Sequence, residues 1–198
     1  MTDFERFKQE RYNARPWDLP ENPMGFPTEE IGVTSDISAH LPLLEFLARG
    51  CDHITEFGTR YAASTSALIA GCRGKVVSYD IRTNKEIRRL QKINKPCEWE
   101  FCIDNTLKLK SIEETDLLFV DTIHTYSQVK AELRFAPNVR KYIVFHDTYS
   151  QGEKSRDRPQ EEGITRAIDE FLAANPQWRK VYEVKFNHGL TILEKGLL

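Results

Sequence analysis

Short apolar runs alternate with stretches of helical spacing along most of the chain. The apolar runs predict seven strands, over residues 53–57, 75–80, 98–103, 116–121, 142–145, 181–186 and 190–193. Helices are predicted between and before them, over residues 36–49, 62–71, 83–93, 126–136 and 164–174. This alternation is typical of an α/β protein whose parallel sheet is covered by helices.

The pattern predicts a Rossmann-like, doubly wound, mostly parallel seven-stranded sheet that finishes in a C-terminal antiparallel hairpin. The hairpin follows from Asn187-His188-Gly189, a turn-forming tripeptide between the last two apolar runs. Residues 1–35 contain four prolines and few periodic runs, and we expect an N-terminal arm there that wraps the domain or meets a second copy in a homodimer. Residues 36–198 are predicted to form the single domain that carries the chemistry.

Composition narrows the class of protein. The 198 residues suit one domain, and 28 Lys and Arg against 30 Asp and Glu give a net charge of −2, which argues against a general nucleic-acid binder. The longest apolar runs are far shorter than the ~18 residues of a membrane span. The charged N-terminus lacks the apolar core of a signal peptide, and the four cysteines show no CxxC pair. We therefore expect a soluble, cytoplasmic protein that binds neither membranes nor nucleic acid.

Polar residues stand where the predicted strands end. A carboxylate at a strand end is common in any turn, so one such residue carries little information. Several in the same register predict a shared polar cleft, because ligands of open α/β sheets bind outside the carboxyl ends of the strands. The strand-end residues are Glu56, Asp80, Asp104, Asn105, Asp121, His146 and Asp147.

The turn after the first predicted strand, residues 56–65, favours a nucleoside ligand. Gly58 permits a tight turn, and the following helix start offers free N–H groups. Of the glycines in a G-x-G-x-x-G fingerprint only Gly58 is present, which disfavours a pyrophosphate. Asp80 follows Gly58 by 22 residues, close to the interval at which an acid meets a ribose diol.

Four segments together resemble class I S-adenosylmethionine-dependent methyltransferases: residues 56–65, Asp80, residues 116–126 and residues 145–148. The resemblance is to the small-molecule subgroup that includes cephalosporin-hydroxylase-like and macrolide-sugar O-methyltransferase-like proteins. Residues 163–172 also resemble the subgroup's helix after the active-site loop, so the resemblance covers about residues 36–195. It implies S-adenosylmethionine as the cofactor and O-methylation of a small hydroxylated acceptor, such as a sugar or a natural product.

The resemblance also implies a set of cofactor-binding residues. Glu56 would hold the methionine ammonium directly or through water, Asp80 the ribose hydroxyls, and Asp121 would lie near the sulfonium. Asp104 with Asn105 would lie by the adenine. The full set is Glu56, Gly58, Thr59, Tyr61, Ser64, Asp80, Asp104, Asn105 and Asp121. The chain departs from the subgroup at Ala62, where glycine is common.

Two histidines are candidates for the catalytic base. Methyl transfer needs alignment and a better nucleophile, and a neutral imidazole can remove a hydroxyl proton near pH 7. His124, three residues after Asp121, is the first candidate base, with Asp121 as its catalytic neighbour, and His146 is the alternate. Each histidine could instead cap a helix or bond to Asp147.

Two of the strand-end aspartates are candidate ligands of a divalent metal ion. Asp121 and Asp147 end adjacent predicted strands and could hold Mg²⁺ or Ca²⁺, which favour oxygen ligands. Related metal-dependent enzymes generally have an acid or amide where this chain has His146. A metal that accepts imidazole and no metal at all therefore both stay open.

Residues 148–162 form a polar stretch without periodicity beside the predicted site, suited either to substrate contact or to a solvated loop. Two other function classes fit a similar sheet: a nicotinamide-dependent oxidoreductase, which the missing glycines disfavour, and a binding protein that has kept the fold but not the chemistry.

Overall fold

A computed structural model describes residues 1–13, 15–16 and 34–196. Its seven-stranded sheet consists of β1 (His53–Phe57), β2 (Lys75–Asp80), β3 (Glu98–Ile103), β4 (Thr115–Val120), β5 (Val139–His146), β6 (Trp178–Val184) and β7 (Leu190–Lys195). The α-helices are α1 (Asp3–Tyr12), α2 (Leu41–Ala48), α3 (Ala63–Gly71), α4 (Lys85–Gln91), α5 (Tyr126–Glu132) and α6 (Thr165–Ala174).

The spatial strand order is β3-β2-β1-β4-β5-β7-β6. Strands β1 to β5 pair in parallel, and β7 runs antiparallel to both of its neighbours, β5 and β6. The predicted doubly wound sheet with a C-terminal antiparallel hairpin is confirmed. The chain reverses its direction of winding between β1 and β4, and this switch point is where open α/β sheets bind ligands.

Alternate residues of the central strands feed two apolar clusters, one on each face of the sheet. Leu117 and Phe119 of β4 point into a cluster with helices α2 and α3, whereas Leu118 and Val120 point into a cluster with α5 and α6. All six residues of β4 are buried. Burial on both faces explains why this strand reads as a continuous apolar run.

The helix predicted over residues 36–49 begins later than expected. A 3-10 turn over Ser38–His40 precedes α2, which starts at Leu41 with Pro42 in its first turn. Proline is tolerated only there, because it lacks the N–H that a helix interior requires. The residue before the helix is His40, and its side chain makes no capping hydrogen bond. In the same way, the helix predicted to end at residue 136 ends at Glu132 and continues as a 3-10 turn.

Part of the predicted N-terminal arm is helical. Helix α1 begins with a capping box between Thr2 and Glu5, a signal in the sequence that could have revealed it. Phe4 and Phe7 of α1 are buried in the apolar cluster that includes α2 and α3. Residues 15–16 pair in parallel with residues 34–35. Pro20, Pro23 and Pro27 lie outside the described residues, and the homodimer contact expected of the arm stays a prediction.

Among the described helices, the longest spans ten residues, and none has the length and apolar character needed to cross a bilayer.

Candidate active site

The turn after β1 is built on left-handed backbone. Gly58 has φ +87°, and a Cβ there would lie 1.8 Å from the carbonyl oxygen of Asp121, so only glycine fits. Arg60 and Ala62 also have positive φ, 43° and 59°. Non-glycine residues are strained in this region. The first turn, residues 58–62, is therefore held in its shape by contacts from elsewhere.

Asp80 supplies those contacts from the end of the neighbouring strand β2. Its Oδ2 accepts the backbone N–H groups of Thr59 at 3.1 Å and Arg60 at 2.9 Å, and its Oδ1 accepts that of Arg82 at 3.2 Å. Asn84 donates from its side chain to the carbonyl of Arg60. A carboxylate on several N–H groups makes strong, charge-assisted hydrogen bonds. The strand end thus fixes the first turn.

Glu56 supports the same turn from below. It has no exposed surface, and its carboxylate accepts three hydroxyls, from Ser64 at 2.6 Å, Thr65 at 2.8 Å and Ser78 at 2.6 Å. Burial raises the pKa of Glu56 to about 7, against the opposing effect of the three hydroxyl donors. Glu56 is consequently a buried anchor between β1, β2 and α3.

A cavity of about 700 Å³ opens above these strand ends, and we call it the strand-end cavity. Of the predicted cofactor-binding residues, those that line it are Gly58, Tyr61, Asp80, Asp104, Asn105 and Asp121. Glu56, Thr59 and Ser64 do not line it. They are at most 4% exposed, so a direct contact of Glu56 with a ligand ammonium does not match this arrangement.

Other residues of the strand-end cavity were not predicted. Ile81 and Leu107 are 65% and 45% exposed and give it apolar walls. Its floor includes Thr106, Thr122 and Gln128, which all donate to the buried carboxylate of Glu132, at 2.6, 2.9 and 2.7 Å. Burial raises the pKa of Glu132, against these donors. Only a carboxylate near a glutamine at helical spacing could have hinted at this network.

Asp121 joins the strand-end cavity to a second group of charged side chains. This charge cluster consists of Asp121, His124, His146, Asp147 and Asp157. His124 lies between two carboxylates, because its Nε2 is 3.0 Å from Asp121 Oδ1 and 3.1 Å from Asp147 Oδ2. The two aspartates follow β4 and β5, which are adjacent in the sheet. The sequence therefore placed these three residues together correctly.

Asp157 holds the opposite edge of His124, and no sequence signal indicated it. One oxygen, Oδ2, accepts both the backbone N–H of His124 at 2.9 Å and its ring Nδ1 at 2.8 Å. The amide of Gln151 contacts Asp157 Oδ1 at 3.3 Å. Residues 148–162, the 148–162 loop, are thus packed onto the site, and Arg158 of this loop lines the strand-end cavity.

The surrounding carboxylates keep His124 charged. Burial disfavours the charge, but hydrogen bonds to Asp121 and Asp157 and the charge of Asp147 outweigh it and raise the pKa of His124 to about 10. In return, and against the effect of burial, the histidines hold the pKa of Asp121 and of Asp147 well below the usual range. Both carboxylates are therefore ionised at neutral pH.

His146 is the deepest member of the charge cluster. It is fully buried, and its Nδ1 lies 3.2 Å from Asp147 Oδ2 and 3.6 Å from Asp121 Oδ1. Neither contact has hydrogen-bond geometry, so Nδ1 has no hydrogen-bond partner. Its Nε2 lies 3.2 Å from the carbonyl oxygen of Asn187. Asp147 itself has φ +60° and accepts Ser150 Oγ at 2.6 Å.

A family model of known proteins matches residues 48–198, and it describes rhamnosyl O-methyltransferase/CmcI. No curated protein gives a significant match to the chain.

Solved structures with the same fold include several methyltransferases. One is an O-methyltransferase from Bacillus cereus in complex with S-adenosylhomocysteine, with a TM-score of 0.61 and 19% identity over 97% of this chain and 90% of that one. Another is the O-methyltransferase TomG from Streptomyces achromogenes in complex with S-adenosylmethionine. Its TM-score is 0.58 and its identity 16%, over 98% of this chain and 89% of that one. The N-methyltransferase NodS from Bradyrhizobium japonicum WM9 is also similar, with a TM-score of 0.61 and 14% identity over 82% of this chain and 97% of that one.

Proposed function

The chain belongs to the rhamnosyl O-methyltransferase/CmcI family, and from this we propose that it transfers a methyl group to a hydroxyl of a small molecule such as a sugar or a natural product. Membership makes it a class I methyltransferase that depends on S-adenosylmethionine, and it removes the nicotinamide alternative. Relatives in fold methylate nitrogen as well as oxygen. The choice of oxygen is therefore part of the proposal.

The proposal rests on the position of Asp121, which lines the strand-end cavity and also contacts His124 of the charge cluster. We place the cofactor in that cavity, with its ribose on Asp80 and its adenine near Asp104 and Asn105. Three backbone N–H groups occupy Asp80, but a carboxylate offers about four lone-pair directions and can still accept a ribose hydroxyl. The sulfonium would then face the charge cluster, where an acceptor hydroxyl can be activated.

We assign the role of base to His124 rather than to His146. His124 is close to the cavity through Asp121, and 12% of its side chain is exposed, whereas His146 has no exposed surface. Asp157 orients the ring by binding Nδ1, which directs Nε2 toward Asp121 and Asp147. The carboxylates favour the charged imidazolium, so Nε2 carries a proton at neutral pH. His124 must release that proton before it can accept one from the acceptor hydroxyl.

A divalent cation fits this site on two observations. Donor atoms of Asp121, His124 and Asp147 lie within 4.8 Å of one another, and the buried Nδ1 of His146 lacks a hydrogen-bond partner in the same place. We propose that Asp121 and Asp147 hold the cation. When bound, the cation would supply positive charge that lowers the pKa of the acceptor hydroxyl and neutralises the carboxylates around His124.

We propose that the acceptor is recognised by the 148–162 loop, because the loop contributes Asp157 to the charge cluster and Arg158 to the strand-end cavity. The experiment is an assay with S-adenosylmethionine and matched acceptor pairs, in which a glycoside hydroxyl is compared with its amino analogue. Mass spectrometry detects the added methyl group. Methylation of the hydroxyl compound alone supports the proposal, and methylation of only the amine would contradict it.

The His124→Gln variant tests the assignment of the base. We expect turnover to fall by about 10²–10⁴-fold, the usual contribution of a general base, while calorimetry finds the affinity for S-adenosylhomocysteine nearly unchanged. The matched control is His53→Gln, since His53 begins β1 at the opposite end of the strands and its ring Nδ1 lies 2.6 Å from the carbonyl oxygen of Glu114. Equal turnover of the two variants would remove His124 from the mechanism.

A further inference from the structure

We propose that His146 is a nitrogen ligand in the cation site of Asp121 and Asp147, and that the site therefore selects a transition-metal dication of the Mn²⁺, Co²⁺ and Zn²⁺ class over Mg²⁺. The inference rests on the proposed cation site and adds to it the identity of a ligand and the chemical class of the metal.

The first observation is the unpartnered nitrogen of His146. The side chain is fully buried, and Nδ1 lies between Asp147 Oδ2 at 3.2 Å and Asp121 Oδ1 at 3.6 Å without hydrogen-bond geometry to either. A buried polar atom without a hydrogen bond is costly and rare in native structures. A shared cation would satisfy this nitrogen and both carboxylates together.

The second observation is the contact on the far side of the ring. His146 Nε2 lies 3.2 Å from the carbonyl oxygen of Asn187, which can only accept, so the proton of a neutral imidazole is on Nε2. The lone pair of Nδ1 then points at the two carboxylates, where it repels them unless a proton or a metal cation lies between. A histidine that donates one N–H to a carbonyl and presents its other nitrogen is the usual arrangement of a metal ligand.

The turn that provides this carbonyl is unusually constrained. Asn187, His188 and Gly189 have consecutive positive φ values of 46°, 69° and 96°. The carbonyl of His188 accepts the backbone N–H groups of Tyr149 and Ser150, both at 3.0 Å. The hairpin turn between β6 and β7 is thus attached to the segment that follows Asp147. Strained backbone that surrounding contacts maintain is typical of functional sites, and here it fixes the orientation of His146.

The donor set decides the class of metal. Mg²⁺ and Ca²⁺ favour oxygen ligands, whereas imidazole suits first-row transition metals. His146 adds one nitrogen to the oxygens of Asp121 and Asp147, and His124 Nε2 lies 3.0 and 3.1 Å from the same carboxylates. A mixed site of carboxylates and imidazoles therefore favours Co²⁺, Mn²⁺ or Zn²⁺ over Mg²⁺.

The test is direct metal binding to the full chain after treatment with a chelator. We expect calorimetry to show one Co²⁺ per chain, bound at least about 100-fold more tightly than Mg²⁺, with visible absorption bands from nitrogen and oxygen ligation. His146→Gln should weaken Co²⁺ binding by about tenfold or more and shift the bands. His146→Glu should raise the affinity for Mg²⁺ toward that for Co²⁺, and His53→Gln should change neither.

Equal affinities of the wild-type chain for Co²⁺ and Mg²⁺, or no Co²⁺ binding, would overturn the inference, and in the second case Nδ1 carries a proton instead. An unchanged Co²⁺ affinity and spectrum in folded His146→Gln would also overturn it. The wild-type comparison decides the question even where a variant does not fold. Titration with S-adenosylhomocysteine separates this inference from the proposed function: a chain that binds the nucleoside but no Co²⁺ loses only the metal.

Discussion

The two ends of the active site are stabilised in different ways. Around the first turn, Asp80 and Glu56 accept backbone N–H groups and hydroxyls, so each carboxylate has neutral donors. In the charge cluster, three carboxylates share two histidines, and one buried nitrogen lacks a hydrogen bond. The first arrangement fixes the backbone of the turn. In the second arrangement the charges are closely coupled, which makes the cluster a candidate for catalytic chemistry.

Substitutions should therefore affect stability and cofactor affinity at the first turn, and turnover at the charge cluster.

The largest effect should be the pH dependence that Glu56 gives to stability. Its pKa is about 7 in the folded chain and 4.5 in a solvated one, so its contribution is fully present below pH 4.5 and is lost as the pH rises through 7. The loss should be roughly 3 kcal/mol in the free energy of unfolding. Urea unfolding of wild type and Glu56→Gln at pH 5 and pH 8 measures it. A wild type and variant with the same pH dependence would contradict the buried-anchor role.

Asp80→Asn should weaken cofactor binding. The amide is neutral, and the charge-assisted bonds to the N–H groups of Thr59 and Arg60 lose strength, so the strained first turn loosens. We expect the Kd for S-adenosylhomocysteine to rise roughly 30-fold, from about 1–2 kcal/mol for each affected bond. Calorimetry measures the change. Asp52→Asn, outside the site in an ion pair with Arg73, is the control and should bind normally.

Asp157→Asn should act on turnover alone. Without its charge, Asp157 orients His124 less firmly, although the amide oxygen can still accept one hydrogen bond. We expect turnover to fall about tenfold, while the Kd for S-adenosylhomocysteine stays within about twofold. A change in the Kd for S-adenosylhomocysteine with no change in turnover would contradict a catalytic role of the charge cluster separate from cofactor binding at the first turn.

The smallest effect should come from Ala62→Gly. Ala62 has φ 59° in the first turn, where glycine is unstrained. The substitution should raise the free energy of unfolding by roughly 0.5 kcal/mol, because relief of about 1–2 kcal/mol of strain exceeds the added backbone entropy. The urea midpoint at a constant m value measures it. A destabilised variant would show that the buried methyl group contributes more than the strain removes.

Sequence spacing predicted the parts of the site that stand at the ends of periodic strands. Asp80 could be anticipated because one β-α-β unit separates it from Gly58, and that unit returns the chain to a neighbouring strand. Asp121 and Asp147 could be anticipated because both end parallel strands. Ala62 could be identified as unusual by comparison with the family, but its left-handed conformation became visible only in the structure.

Spacing could not reveal contacts across long separations. Asp157 lies 33 residues from His124 in a segment without periodicity, so nothing along the chain connects the two. In the sequence, Glu132 looks like an ordinary polar residue on the exposed face of a helix. In the structure its carboxylate is buried beneath the strand-end cavity. Glu56 was predicted to hold the cofactor, but the sequence did not show that three hydroxyl groups donate to its carboxylate. Hydroxyl residues carry no periodic signal that marks their partners.

The sequence by itself determined the alternation of strands and helices, the mostly parallel sheet and the row of polar residues at its carboxyl edge. These follow from hydrophobic periodicity and turn chemistry, which act over a few neighbouring residues. Only the tertiary structure decided that β7 inserts between β5 and β6, that Asp157 contacts His124, and that Nδ1 of His146 faces Asp121 and Asp147. Ion pairs and hydrogen bonds depend on distance and angle in space, and these exist only after the segments have packed.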